Sequence, residues 1–158
     1  MTAVAVAVMV VATGCATTAT TVAGTGMAAQ PSAVRDGAFE FVVHDVAQLH
    51  QVGDPSNPGL SITAKGVFVV VTLSIRNVGD APQTFFDSYQ TLIDRSGNQY
   101  SASMAADIYG NLGIHSTKIA PGDALTVHLA FDVPVDTVPT NLLLRQSDSS
   151  AGVKVPLS

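Results

Sequence analysis

The side chains best suited to metal chemistry are the four histidines, His44, His50, His115 and His128. Imidazole is a common ligand of zinc and copper, and two ligands on one element need a short spacing such as H-x-H or H-x3-H. No pair of these histidines has that spacing. His44 and His128 also fall on the polar phases of predicted strands, where exposure explains them. We therefore predict no metal site and no cofactor, with an envelope carrier of a metal ion or small ligand as the alternative function.

Catalytic motifs are also missing from the sequence. A serine hydrolase of the G-x-S-x-G type presents its nucleophile on a turn between a strand and a helix, and the chain contains no such motif. There is no phosphate-cradling glycine loop either. We predict no catalytic residues and a protein that is not an enzyme.

The single cysteine, Cys15, follows the uncharged apolar run AVAVAVMVVA at residues 3–12. A membrane-spanning helix needs about 20 apolar residues, so this run is too short to span and is typical of an export signal. The sequence ATGC at 12–15 resembles the lipobox at which bacterial lipoprotein precursors are lipidated and cut. We predict a signal peptide at 1–14 and a membrane anchor on the lipidated Cys15; a buried or free cysteine is the alternative.

The segment from 15 to 33 differs in composition from the rest of the chain. It is rich in Thr, Ala and Gly and shows no period, which is typical of a flexible tether. Eighteen residues of flexible chain have an average reach on the order of 25 Å. We expect this tether to lift the domain at 34–158 away from a lipid surface on the extracytoplasmic face, with a secreted protein as the alternative.

Composition and charge restrict the partners. Hydrophobic residues make up 47% of the 158 residues and charged residues 12%, which is too apolar for a disordered chain. Seven Lys and Arg stand against twelve Asp and Glu, for a net charge of −5. A phosphate backbone requires clustered positive charge, so we predict no nucleic-acid partner.

Period-two alternation dominates the chain after residue 34. In the run at 66–79 the apolar side chains alternate with polar ones, and the run at 123–134 repeats the pattern. The side chains predicted to be buried are Val69, Val71, Leu73, Val127, Leu129 and Phe131. Further short β-rich runs lie at 39–46, 89–97, 140–146 and 152–157, and only 100–113 favours a helical turn. We predict an all-β, immunoglobulin-like antiparallel β-sandwich of about seven to nine strands.

Several segments together carry a family resemblance. They are VRDGAFEFVV at 34–43, GVFVVVTLSIRNVGDAPQTFF at 66–86, LIDRSGNQYSAS at 92–103, IAPGDALTVHLAFDVP at 119–134 and LLLRQSDSSAGVKVPL at 142–157. They resemble a domain of unknown function found on many actinobacterial and firmicute lipoproteins and sometimes catalogued under a telomeric-repeat-binding name. The resemblance implies the immunoglobulin-like fold of a secreted mycobacterial immunoprotective antigen, and it implies no catalytic residue.

Two segments are candidates for recognition. FFDSYQ at 85–90 concentrates aromatic side chains, and DIYGNLGIH at 107–115 has the glycines of a loop. Core packing explains most of the first segment, but any part of it that is exposed would be a contact surface. We predict an interaction surface at Phe86, Tyr89 and Tyr109, through which a lipid-anchored envelope module binds a protein or cell-wall partner.

Overall fold

The computed structural model of the chain describes residues 32–110 and 115–157. The predicted signal peptide, Cys15 and the tether up to residue 31 lie outside the described residues, as does Ser158. The first strand begins at Val34, where the period-two pattern begins.

Ten strands, one α-helix and two 3₁₀ helices make up the described chain. The strands are β1 (Val34–Asp36), β2 (Phe39–Gly53), β3 (Ser61–Asn77), β4 (Gln83–Phe86), β5 (Thr91–Asp94), β6 (Gln99–Ser101), β7 (Ser116–Ile119), β8 (Ala124–Val133), β9 (Pro139–Leu144) and β10 (Val153–Pro156). The helix α1 is Met104–Gly110, and the 3₁₀ helices are Pro58–Leu60 and Asp87–Tyr89. Of the helices in these residues, none is both long enough and apolar enough to cross a membrane.

The strands form three antiparallel sheets. One sheet has the order β1-β2-β3-β8, a second has the order β10-β9-β5-β6, and β4 pairs with β7. The predicted immunoglobulin-like antiparallel β-sandwich is thereby confirmed. The described strands number ten, more than expected, because three-residue strands such as β1 and β6 are too short to show a period in sequence.

One apolar core joins all three sheets. The six side chains predicted to be buried are each at most 1% exposed. Phe39, Phe41 and Phe85 pack edge to face beside them, with ring centroids 6.0 and 6.4 Å apart. The alternation seen in sequence therefore identifies the core face of β3 and β8 correctly.

Asn77 closes the turn that follows β3. Its side-chain oxygen accepts from the Gly79 amide at 3.0 Å, and its side-chain nitrogen donates to the carbonyls of Ala81 and Ile119 at 2.8 and 2.9 Å. Because Asn77 is completely buried, these bonds replace the water that the amide loses.

Two irregularities interrupt the pairing of β2 with β3. His44 is an extra residue, since Val43 opposes Leu73 and Asp45 opposes Thr72. Further along, His50 lies opposite the stretch 64–67, which bulges out of β3. The Asp132 carboxylate holds this bulge, accepting from the Lys65 amide at 3.1 Å and from the Gly66 amide at 3.3 Å.

The outer face of the first sheet carries a second apolar cluster. Phe68 alternates with the core residues of β3 and therefore lies on the opposite face. It packs with Val52, Ala130 and Ala106, the last of which belongs to α1. Helix α1 thus covers an apolar patch that would otherwise face solvent.

Candidate functional site

Helix α1 forms at the one place where the sequence favours a helical turn. Ser103 precedes it, and the Ser103 carbonyl accepts from the Asp107 amide at 2.8 Å while its hydroxyl accepts from the Ala106 amide at 3.4 Å. Ala106 and Asp107 are completely buried, whereas Met104 and Ile108 are 60% and 38% exposed. Residues four apart lie on one helix face, so Met104 and Ile108 form an outward apolar pair.

The inward side of α1 closes the edge of β8. The Ser103 amide donates to the Ala130 carbonyl at 2.7 Å, and the Ala130 amide donates to Asp107 Oδ1 at 2.5 Å. The Ser103 backbone and the Asp107 carboxyl group thus bond the Ala130 backbone groups that a neighbouring strand would otherwise pair with.

The aromatic segment at 85–90 divides between core and surface. Phe85 is buried in the core, as predicted for most of this segment. Phe86 and Tyr89 are half-buried, and their rings pack together with centroids 5.0 Å apart. Between them Asp87 begins a 3₁₀ helix and is only 4% exposed, so it is no surface acceptor.

Asp87 and Asp107 form a buried acidic pair. Burial chiefly raises the pKa of Asp107 to about 8; the Ala130 amide opposes this shift, and the charge of Asp87 and a hydrogen bond with it raise it further. Burial also raises the pKa of Asp87, against the Ser88 amide, the charge of His115 and the hydrogen bond with Asp107. Among the described residues, no N–H or hydroxyl group donates to the buried Asp87 Oδ2 or Asp107 Oδ2.

The structure brings the two predicted recognition segments together, because α1 contacts the 3₁₀ helix Asp87–Tyr89. Tyr109 is half-buried and packs against the cluster around Phe68. We call the side chains on this part of the molecule the α1 surface: Phe86, Tyr89, Met104, Ile108 and Tyr109. Sequence reasoning missed Met104, Ile108 and Asp107; the i, i+4 spacing of Met104 and Ile108 was the available signal.

The histidines are distributed over separate elements. His44 Nε2 lies 2.6 Å from the Ser74 hydroxyl, and His128 Nδ1 lies 3.1 Å from the Thr72 hydroxyl. Across residues 32–110 and 115–157, no three His, Cys, Asp or Glu side chains are arranged to hold a metal ion.

Asp94 organises the hairpin between β5 and β6. Its Oδ1 accepts from the amides of Ser96 and Asn98, both at 2.8 Å, and its Oδ2 accepts from the Asn98 side chain and the Tyr100 hydroxyl, at 2.8 and 3.1 Å. Gly97 has φ +85°, the left-handed conformation expected for this turn. An open cleft beside it is also lined by Pro134 and Asp136. Asp94 uses both oxygens on its own turn, so its role here is structural.

Fold and site together define a small antiparallel β-sandwich whose outer face carries one short covering helix. A domain of unknown function, DUF4352, matches residues 32–155. The chain belongs to this family. A search of the curated proteins finds no match.

Solved structures with the same fold come from several bacteria. A conserved hypothetical protein of Bacillus anthracis is 16% identical, with a TM-score of 0.65 over 85% of this chain and 96% of that one. MPT63, a secreted protein of Mycobacterium tuberculosis, is 17% identical, with a TM-score of 0.55 over 75% and 82%. A Bacillus subtilis protein described as a "putative lipoprotein (ycdA)" is 12% identical, with a TM-score of 0.53 over 81% of this chain and 39% of that one. These likenesses show the fold, including the expected similarity to a secreted mycobacterial protein.

Proposed function

We propose that this protein is a non-catalytic binding module on the extracytoplasmic face of a bacterial membrane. A lipid on Cys15 anchors it, residues 16–33 form its tether, and the α1 surface binds a protein partner of the envelope. Its place among actinobacterial lipoproteins is part of the same proposal.

The location is supported by the start of the chain and by the relatives. An apolar run too short to span a bilayer precedes the lone cysteine. Among proteins of the same fold, one is described as secreted and another as a "putative lipoprotein". The described domain contains no cysteine, so its stability needs no disulfide on either side of a membrane.

The observation that carries the binding role is the apolar character of the α1 surface. Met104 is 60% exposed and Ile108 is 38% exposed, on the same face of a helix whose other face is buried. Tyr89 belongs to the 3₁₀ helix that α1 contacts, and its ring packs against that of Phe86, the last residue of β4. Aromatic and Met side chains are enriched at protein interfaces, and clustered exposed apolar groups mark such sites.

Membrane anchoring is tested by Cys15→Ala in the native host. We expect the variant to leave the membrane fraction for the medium or to accumulate as uncut precursor, because the acyl anchor is lost. Cell fractionation and intact mass measure this. A variant that stays in the membrane fraction at the mature mass would contradict the anchor.

Partner binding is tested by crosslinking the anchored protein in its own cells. Ile108→Glu places a charge on the α1 surface and should abolish crosslinks to a specific protein. Val135→Glu, on a 63% exposed valine between β8 and β9, is the matched control and should retain them. Crosslinks that Ile108→Glu leaves intact, or that reach only cell-wall glycan, would refute a protein partner at this surface.

The alternative, a carrier of a metal or small ligand, has no specific observation in its favour among the described residues. Titration calorimetry of the soluble domain with copper and zinc tests it directly. Stoichiometric micromolar binding that His44→Ala removes would replace the proposal.

A further inference from the structure

The acidic pair Asp87 and Asp107 joins two elements that are otherwise far apart in sequence. Asp87 lies on the 3₁₀ helix after β4, and Asp107 lies in the middle of α1. Both side chains are buried: Asp87 is 4% exposed and Asp107 is 0% exposed. One oxygen of each carboxyl group, Oδ2, is buried and receives no hydrogen bond from an N–H or hydroxyl group of residues 32–110 or 115–157.

A proton shared between the two carboxyl groups explains how both Oδ2 atoms can be buried without another donor. Two adjacent buried carboxylates repel each other strongly, whereas a carboxylic acid can donate a hydrogen bond to its neighbour. Asp107 Oδ1 already accepts from the Ala130 amide, which leaves Oδ2 as the atom to carry the proton. The Asp107 hydroxyl then donates to the Asp87 carboxylate.

The surroundings of the pair contain few other charges. Helix α1 packs against β2, β3, β8 and the 3₁₀ helix. Towards α1, strand β8 presents the Ala130 backbone, while β2 and β3 present the apolar Val52 and Phe68. Within the described residues, Asp87 is the charged group that acts on Asp107, and His115 is the other titratable side chain that acts on Asp87. Residues 111–114, Asn-Leu-Gly-Ile, carry no titratable side chain.

Helix α1 depends on this pair for its position. The Asp107 carboxyl group bonds the edge of β8, and Ala106 beside it covers the 1% exposed Phe68. We propose that Asp87 and Asp107 form a proton-operated latch: the shared proton holds α1 on the sheet, and its loss releases α1 and uncovers the apolar patch around Phe68.

The direction of the pH effect follows from which state binds the proton. Burial raises the pKa of Asp107 in the closed state to about 8, above its ordinary value of 3.8. The closed state therefore holds the proton more tightly, so its stabilisation is complete below the ordinary pKa and is lost as the pH rises through about 8. Opening releases one proton between these two pKa values, so it becomes about tenfold more favourable per pH unit up to about 8 and levels off above that.

The latch does not depend on what the α1 surface binds, and it is tested without a partner. The full chain carrying Cys15→Ala is compared between pH 6 and pH 10. Carboxyl ¹³C shifts report the titration of both aspartates, hydrogen exchange corrected for its intrinsic pH dependence reports protection in residues 104–110, and a dye that binds apolar surface reports exposure. We expect α1 to lose protection about tenfold per pH unit from pH 6 up to the Asp107 titration and to level off above it, while β3 and β8 stay protected.

Replacing each aspartate with asparagine keeps the shape of the side chain but removes its titration. Asp107→Asn keeps an acceptor for the Ala130 amide and a donor for Asp87, so α1 should stay protected to pH 10. Asp87→Asn should also remove the transition, because its amide can donate to the Asp107 carboxylate; this variant decides the matter if Asp107→Asn does not fold. The exposed Asp136→Asn should open like the parent.

Three results would overturn the latch. The first is protection of α1 that does not change between pH 6 and pH 10 in the parent. The second is an opening transition that both amide variants retain. The third is closure at pH 9 by millimolar calcium that a chelator reverses, since the pair would then be a cation site, although two carboxylates supply few of the six to eight oxygens that calcium takes.

Discussion

Asp94 shows how one carboxylate can fix a whole turn. Four donors from Ser96, Asn98 and Tyr100 converge on its two oxygens. The Asn98 side chain is the largest cause that lowers the pKa of Asp94, and burial opposes it. The charged form is therefore the form that the folded turn prefers.

We expect Asp94→Asn to lower the urea midpoint at pH 7, because an amide offers one acceptor oxygen in place of two. Because the pKa of Asp94 is lowered in the folded state, this carboxylate stabilises the fold at pH values above its ordinary pKa. The stabilisation is lost as the pH falls through the folded pKa. The difference between parent and variant should therefore shrink in acid. Urea unfolding at several pH values measures it, with Asp136→Asn as the control; a difference that is constant down to pH 2 would refute the charge-based account.

At this scale the sequence predicts local contacts and misses distant ones. The structure shows the turn bond of Asn77 and the positive φ of Gly97, and both follow from residue type and near neighbours. Asp87 is buried, although its neighbours in sequence do not indicate this. Its burial depends on Asp107, twenty positions away, and no local pattern reports where α1 packs.

Strands β3 and β8 depend on a close approach at Gly66. A Cβ atom added there would lie 2.2 Å from the Val133 carbonyl oxygen and 3.0 Å from the Pro134 Cα, so the backbones would have to separate. The Asp132 carboxylate holds the Gly66 amide in the same bulge.

Gly66→Ala should destabilise the domain by about 1–3 kcal/mol, the usual cost of forced overpacking. Gly59→Ala is the control, since its Cβ would be no closer than 3.4 Å to the Asn57 side-chain oxygen, and it should change stability by less than about 0.5 kcal/mol. Thermal and urea unfolding compare the two. Equal stability of the two variants would show that the bulge relaxes freely.

At the level of elements, period-two alternation predicts which face of a strand is buried. It does not predict where a strand bulges or ends. It identifies β3 and β8 and their buried faces. It does not indicate that β2 extends to Gly53, because its second half is mostly exposed and polar. Nor does alternation predict that α1 packs on the outer face. Phe68, which α1 covers, lies within a longer apolar run, so the sequence does not distinguish it from the core residues beside it.

The whole domain should fold without the segment before residue 34. The core lies within 34–157, and Val71 at its centre is completely buried between β2 and β8. A buried unpaired carboxylate costs several kcal/mol against a total stability of roughly 5–15 kcal/mol.

Val71→Asp in the fragment 34–158 should therefore abolish folding, whereas Thr84→Asp on the exposed side of β4 should not. Circular dichroism and size-exclusion chromatography report the outcome. A parent fragment that is unfolded would mean that the earlier residues contribute to the core, and a folded Val71→Asp variant would contradict the burial of this strand.

The irregular pairing of β2 has a consequence for self-assembly. Among the described strands, β1 pairs only with Phe39 to Phe41 of β2, so the rest of β2 lies at the border of the sheet. The β2 backbone itself is displaced at His44, the extra residue between Val43 and Asp45. An incoming strand from another molecule would lose its register at this bulge, and interruptions of this kind protect sheet edges from aggregation. Molecules of this domain that lie side by side on a surface would therefore pair poorly across His44.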